Sequence, residues 1–375
     1  MEAQSLVAKS LLERGITRRD FLKFCALMAG TLALPMSYGT RIAEALEKKT
    51  TKLPVIWLEF QDCAGCSESF TRSSKPSAAH VVLDLISLEY HETLMAAAGF
   101  QAEQAREEVV KRGGYLVIIE GGVPKGDDGV YCVIAGRTAL QVIEETVKNA
   151  AAVITVGNCG SFGGIPRAHP SPTTATGARF VVKEMFPDKP IIGLPGCPVN
   201  AVNVTATLVH FLAFGELPPT DQHDRPLFAY GALIHDNCPR RAHFDRGEFV
   251  REWGDEGHRK GWCLYKMGCK GPITYANCPA VQWNDGLSWP IGSGHGCIGC
   301  TELDFWDRPI YEPVKIQEAA PPAFYPSVEE GPEGKVDAVS AGITGAVVGA
   351  AAVAGATLLK GKKSNNGSSQ PSDEG

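Results

Sequence analysis

Apolar residues arrive in two rhythms between positions 54 and 217. Short unbroken runs, "VIWLEF" (55–60), "YLVIIEG" (115–121), "AVITVG" (152–157) and "IIGLPG" (191–196), stand between stretches of polar and turn residues. Runs of that length without alternation read as strands covered on both faces. "HVVLDLISLEY" (80–90) belongs with them. Between the runs, helical periodicity appears in "TLMAAAGFQAEQAREEVVKR" (93–112), "TALQVIEETVKNA" (138–150) and "NAVNVTATLVHFLAFG" (200–215). This alternation predicts an α/β domain over residues 46–220, an open parallel sheet with helices on both faces. Ligands of such sheets gather beyond the carboxyl ends of the strands.

The rhythm changes after "GELPPTDQHDRP" (215–226). Residues 221–317 carry short apolar runs, more Gly and Pro, and crowded cysteines. A segment so poor in long apolar runs needs a staple, either disulfides or metal. "EAAPPAFYPSVEEGPEGK" (318–335) reads as an extended tether within a linker of 318–337. Ala338 to Leu359 then runs 22 residues without a charge. At about 1.5 Å per residue that crosses a hydrocarbon core of about 30 Å, predicting a single transmembrane helix. Lys360, Lys362 and Lys363 follow, and the polar tail 360–375 is expected to be disordered and cytoplasmic. Gly345 and Gly349 form G-x-x-x-G, which suits packing against a membrane partner.

The amino end has a different logic. "GITRRDFLKFC" (15–25) holds the pair Arg18 and Arg19, then comes the weakly apolar "ALMAGTLALPM", then "AEA" (43–45). Charged, apolar and small-x-small segments in that order predict a twin-arginine leader over residues 1–45, with a mature chain starting near Leu46. The competing reading is an amphipathic helix with an incidental arginine pair. A net charge of −6 on 375 residues, with no basic stripe, gives no reason to expect nucleic acid.

Twelve cysteines change the picture most. Loss of the leader removes Cys25 and leaves an odd number, a poor match to a pure disulfide framework. Cys63 and Cys66 follow the first strand, Cys159 follows "AVITVG" and Cys197 follows "IIGLPG". A parallel sheet brings such strand ends together, so four sulfurs converge on one four-thiolate site. "HDNC" and "CLYKMGC" offer one imidazole and three thiols: His235, Cys238, Cys263 and Cys269. "NCP" and "CIGC" offer only three thiols, Cys278, Cys297 and Cys300, a number that suits a 3Fe-4S cluster. For any one set zinc remains open, because C-x2-C with two further thiols is a common zinc signature. Three sets in series favour redox centres over structural zinc.

At these residues the sequence resembles the small subunit of a membrane-bound nickel–iron uptake hydrogenase. The resemblance rests on "TRRDFLK", "DCAGCSES", "GNCGSFGGIP", "PGCP", "HDNCPRRAHFD", "CLYKMGCKGP", "NC…W" and "GHGCIGC" in that order, with the C-terminal apolar stretch. It implies a flavodoxin-like first domain without flavin. It implies a proximal 4Fe-4S cluster on Cys63, Cys66, Cys159 and Cys197. A medial 3Fe-4S cluster would lie on Cys278, Cys297 and Cys300, with Pro290 where a fourth thiol would stand. A distal 4Fe-4S cluster would lie on His235, Cys238, Cys263 and Cys269. No catalytic residue is implied on this chain, since the nickel–iron site lies on a separate large subunit. Further implied partners are a membrane cytochrome b or another quinone-linked membrane subunit, and the assembly is compatible with a dimer of heterodimers. The location implied is the periplasmic face of the inner membrane. Oxygen-tolerant members of the family place two extra cysteines at the proximal cluster; Gly65 and Gly164 stand at those positions here, implying an oxygen-sensitive enzyme.

Other residues carry weaker signals. Cys132 fits none of the sets and reads as a small buried hydrophobe. Glu120 ends a central strand and either tunes the proximal site or passes protons there, or caps a loop. His243 reads as a structural hydrogen-bonding histidine; Arg240 and Arg241 read as a solvated pair by default, with a docking surface near the distal set as the alternative. His80, His91, His169 and His258 have no spacing that marks a site. The rival functions are an exported, disulfide-stapled non-enzymatic protein and a stand-alone iron–sulfur electron carrier.

Overall fold

The computed structural model describes residues 17–49, 51–74, 85–316 and 320–328. Five strands form its central sheet: β1 (Leu53–Glu59), β2 (Ile86–His91), β3 (Leu116–Glu120), β4 (Ala152–Val156) and β5 (Ile191–Leu194). All pair in parallel, in the order β2-β1-β3-β4-β5. This is the doubly wound order in which ligands sit beyond the strand carboxyl ends. Every residue of β3, β4 and β5 is buried, so their unbroken apolar runs follow from two covered faces.

Alternate side chains feed two cores. Val55, Trp57, Leu116, Ile118 and Ile154 face α3 (Gly65–Thr71) and α8 (Ala201–Phe214). Ile56, Leu58, Val117, Ile119 and Val153 face α4 (Phe100–Arg112), α5 (Ala139–Val147) and α7 (Ala178–Met185). A short helix, α6 (Gly157–Phe162), leaves the end of β4 directly. The helix expected from residue 93 starts only at Phe100, after Gly99 with φ +56°. Thr93 instead gives its amide and hydroxyl to the Glu59 carboxylate, at 2.9 and 2.7 Å. Local side-chain bonding of that kind competes with helix formation.

The amino-terminal segment is more ordered than its sequence suggests. Helices α1 (Arg18–Thr31) and α2 (Tyr38–Glu47) form a hairpin whose apolar residues join the same core as α8. Residues 221–316 are mostly single helical turns, 3-10 turns and isolated bridges. This second region shares the first core through Tyr230, Ile234 and Ile291. It is also tied across by Asn158, whose side-chain amide donates to the Cys300 and Glu302 carbonyls at 2.9 and 3.0 Å. Among the described residues no helix is long and apolar enough to cross a membrane, and the expected span 338–359 lies outside them.

Candidate metal centres

The sheet delivers its thiols where the strand reading placed them. Cys63 and Cys66 follow β1, Cys159 lies in α6 beyond β4, and Cys197 follows β5. The loops interlock: the Asn158 amide donates to the Gly196 carbonyl at 2.7 Å, and the Val199 amide to Cys66 Sγ at 3.4 Å. The four thiols lie close enough for ionisation of one to oppose that of its neighbours. Gly157, at φ +72°, is dictated by this crowding, because a Cβ there would sit 2.5 Å from Cys66 Sγ. Cys66 is buried, whereas Cys63 and Cys197 are exposed, so the set opens to the surface.

A buried carboxylate network stands behind Cys66. The β1–β3 register puts Glu59 beside Glu120. Glu120 accepts from the Cys66 amide (2.9 Å), the Ser67 amide (3.0 Å), the Ser67 hydroxyl (2.7 Å) and Trp57 Nε1 (3.3 Å). Helix α3 has Ala64 at its N-cap and no cap from its own side chains, so Glu120 satisfies its first free amides from another strand. Glu120 is thus a cap, of the helix that carries Cys66 rather than of a loop. Burial raises its carboxyl pKa against these hydrogen bonds. Glu59 is also pushed up by burial, yet hydrogen bonds from His91 and Thr93 bring it below its ordinary value. Asp62 is pushed up to about 6, by burial first and by the neighbouring Glu120 and Glu59 charges, against the Ala64 amide. His91 is fully buried, 3.1 Å from Ser67 Oγ, with its ring 5.0 Å from that of Trp57. Nothing in its sequence spacing marks it; only the strand pairing brings it to this place.

His235, Cys238, Cys263 and Cys269 line a single pocket with Arg240, Arg241 and Tyr265. His235 Nε2 is buried without a hydrogen-bond partner. Burial, then the Arg241 charge, lowers the His235 pKa to about 4, so its imidazole is neutral and its orphan nitrogen is free to be a metal donor. The Arg240 and Gly271 amides donate to Cys238 and Cys269 Sγ, both at 3.4 Å. Cys278, Cys297 and Cys300 line a cavity of about 330 Å³ together with Pro290, Trp283 and Cys197. Trp283 Nε1 donates to Cys278 Sγ at 3.4 Å and the Gly299 amide to Cys297 Sγ at 3.3 Å.

The donor chemistry fits iron–sulfur clusters. All twelve cysteines lie among the described residues and none is in a disulfide. Burial pushes the Cys159, Cys263 and Cys300 thiols up to about 12. Alone they stay protonated; a metal is what converts such a set to thiolates. Backbone amides aimed at the sulfurs are the donors that adjust cluster potentials.

The three sets also lie in a row. Cys197 of the first set lines the cavity of the three-thiol set. At the other end, the Cys297 amide donates to Cys269 Sγ of the histidine-containing set at 3.3 Å.

Comparison with known proteins gives this arrangement its family. Residues 230–311 match the family model for the C-terminal part of the NiFe/NiFeSe hydrogenase small subunit, and residues 63–211 match NADH ubiquinone oxidoreductase, 20 Kd subunit. The chain is 45% identical to the uptake hydrogenase small subunit of Azotobacter vinelandii over 96% of both chains. It belongs to the nickel–iron hydrogenase small subunits. The hydrogenase small subunit is also 44% identical to the quinone-reactive Ni/Fe-hydrogenase small chain of Wolinella succinogenes, over 94% of this chain and 99% of that one. Its fold matches a chain of the Ni-Fe-Se hydrogenase from Desulfomicrobium baculatum with TM-score 0.66 and 33% identity, covering 70% of this chain and all of the other. As a member of this family it transfers electrons as one subunit of an oxidoreductase and pairs with a large subunit.

Several weaker expectations resolve. Arg240 and Arg241 are not solvated: both are buried, and Arg241 is held by Asp236 and Asp245. A charge pair beside this candidate metal pocket reads as exposed only when its acidic partners go unnoticed. His243 is structural, with Nδ1 2.5 Å from Glu248 Oε2. Cys132 is partly buried against the second core. His258 Nε2 lies 2.9 Å from the Gly294 carbonyl and exposed His169 pairs with Asp307, while His80 lies outside the described residues. Ser67, His91 and Glu59 escaped sequence reasoning. Trp283 was legible only as part of a motif, although an indole N–H five residues past Cys278 needs an acceptor.

Proposed function

We propose that this chain is the electron relay of a hydrogen-oxidising enzyme, with a proximal 4Fe-4S cluster on Cys63, Cys66, Cys159 and Cys197. A medial 3Fe-4S cluster would lie on Cys278, Cys297 and Cys300, and a distal 4Fe-4S cluster on His235, Cys238, Cys263 and Cys269. The observation that carries this is the series of contacts: Cys197 lines the three-thiol cavity, and the Cys297 amide donates to Cys269 Sγ. When bound, such clusters supply one-electron oxidation and reduction. The residues of the chain hold the sulfurs, aim amides at them and exclude water. The exposed Cys63 and Cys197 mark the face turned to the large subunit. The distal set is the exit toward a membrane cytochrome b and quinone, a reading favoured by the relative described as quinone-reactive.

The leader 1–45 and the span 338–359 belong to this reading, which places the enzyme on the periplasmic side of the inner membrane. The body divides at about residue 220 into the sheet domain and the two-cluster region. Oxygen sensitivity also belongs to this reading, on Gly65 and Gly164, and the surroundings of Gly164 support it. A Cβ there would lie 2.5 Å from Cys159 Sγ, and its φ of +53° disfavours any side chain, so this backbone does not accept an extra cysteine without moving. Low-temperature EPR of the oxidised heterodimer, with iron analysis, tests the assignment. An oxidised 3Fe-4S signal is expected; zinc in any set, or no such signal, overturns it.

A further inference from the structure

Hairpin α1–α2 spans residues 18–47 and so carries the described part of the proposed leader and its expected cut site. Phe21, Cys25, Met28 and Ala29 recur at helical spacing and are buried. Ile42, Ala43 and Leu46 form the matching stripe of α2 and are buried as well. Both stripes join the apolar cluster of α8, where Phe211 and Phe214 are only partly covered. Tyr38 sets its ring edge 6.1 Å from Phe214. Gly39 allows the two helices to touch, since a Cβ there would lie 3.0 Å from the Ala26 Cα.

We propose that this face of α8 is a docking surface for the chain's own leader, and that the docked leader shields the bond at which it is removed. The proposal rests on the export reading above. The small-x-small motif Ala43-Glu44-Ala45 lies inside α2, with Ala43 3% and Leu46 1% exposed. The Lys48 amide donates to the Glu44 carbonyl at 3.1 Å, closing the helical turn across the 45–46 bond. A peptidase that binds its substrate as an extended strand needs those backbone groups free, so the helix must leave α8 and unwind first. Arg18 and Arg19, by contrast, are exposed in the docked state. The export signal is therefore legible while the cut site is hidden, and removal waits for the hairpin to be drawn off.

The test uses the purified full-length precursor, in complex with its large subunit, and a detergent-solubilised membrane fraction containing the leader-removing peptidase. The reference is a synthetic peptide of residues 30–55. The peptide is expected to be cut between 45 and 46 at least tenfold faster than the wild-type chain. Phe214→Asp, which leaves the leader sequence untouched, is expected to bring cleavage of the precursor close to the peptide rate. Equal rates for peptide and wild-type chain overturn the docking gate but leave the export reading standing. A peptide that is never cut at that bond overturns the export reading and the gate with it. Amide hydrogen exchange of residues 39–46 in the wild-type precursor gives an independent readout: at least tenfold slowing relative to the peptide is expected, and none overturns the proposal.

Discussion

Replacing Glu120 with alanine tests the link between the sheet and the proximal ligand set. The substitution strands three buried donors: the Cys66 amide, the Ser67 amide and Trp57 Nε1. Ser67 Oγ retains Glu59 at 3.2 Å, so it is not counted. Each unsatisfied buried donor costs about 1–3 kcal/mol, and water entering the space left by the carboxylate recovers part of this, leaving about 2–6 kcal/mol. That is a large share of a typical domain stability of about 5–15 kcal/mol. At about 2 °C per kcal/mol for a chain of this size, melting falls by at least about 4 °C. Glu120→Gln keeps one acceptor for the Cys66 amide but turns an NH2 group toward the remaining donors, so it falls between alanine and wild type. The assay is calorimetry of the purified heterodimer, paired with EPR of the reduced protein. Because Glu120 caps the helix that carries Cys66, the proximal signal should broaden or shift while the medial signal stays unchanged. Melting within about 2 °C of wild type, together with an unaltered proximal spectrum, would refute the capping argument.

Pro290 lines the three-thiol cavity, so Pro290→Cys offers a fourth sulfur; the oxidised 3Fe-4S EPR signal is expected to disappear, and its persistence at full intensity counts against the medial assignment. His235→Ala removes the only nitrogen donor of the distal set. Iron content should fall and quinone reduction by hydrogen should drop at least tenfold, with a smaller loss toward a soluble dye; equal losses toward both acceptors would contradict a distal exit. Burial holds the His210 imidazole below its ordinary range, against the pull of the Glu216 carbonyl. With the folded pKa below the unfolded one, its share of stability is present above about pH 6.5 and is lost as pH falls. His210→Gln should flatten that part of the stability profile, and an unchanged slope between about pH 7 and 5 would show that another group controls it. Film electrochemistry in air should show hydrogen oxidation decaying, whereas a sustained current would remove the argument from Gly65 and Gly164.

Much of the sheet was readable because β3, β4 and β5 are covered on both sides and so carry unbroken apolar runs. The convergence of Cys63, Cys66, Cys159 and Cys197 was readable for a related reason: parallel strands place their carboxyl ends together whatever the loops do. The late start of α4 was not, because it depends on Thr93 reaching the Glu59 carboxylate across the strand end, a tertiary contact without local trace. His91 was hidden for the same reason, since its partners Ser67 and Glu59 come from other elements. The burial of Arg241 depends on Asp236, Asp245 and the Ala320 carbonyl, 79 residues further along. The packed hairpin was legible only as far as the competing reading of an amphipathic helix went, because the face that α1 and α2 cover belongs to α8, far along the chain.

Cys297 lends its sulfur to one ligand set and its amide to a sulfur of the next. Under the proposed relay, two clusters joined through one residue would not be separate stores of charge. An electron arriving at either would make its neighbour harder to fill, so the pair would act as a one-at-a-time turnstile, and a redox titration should show two waves that repel each other.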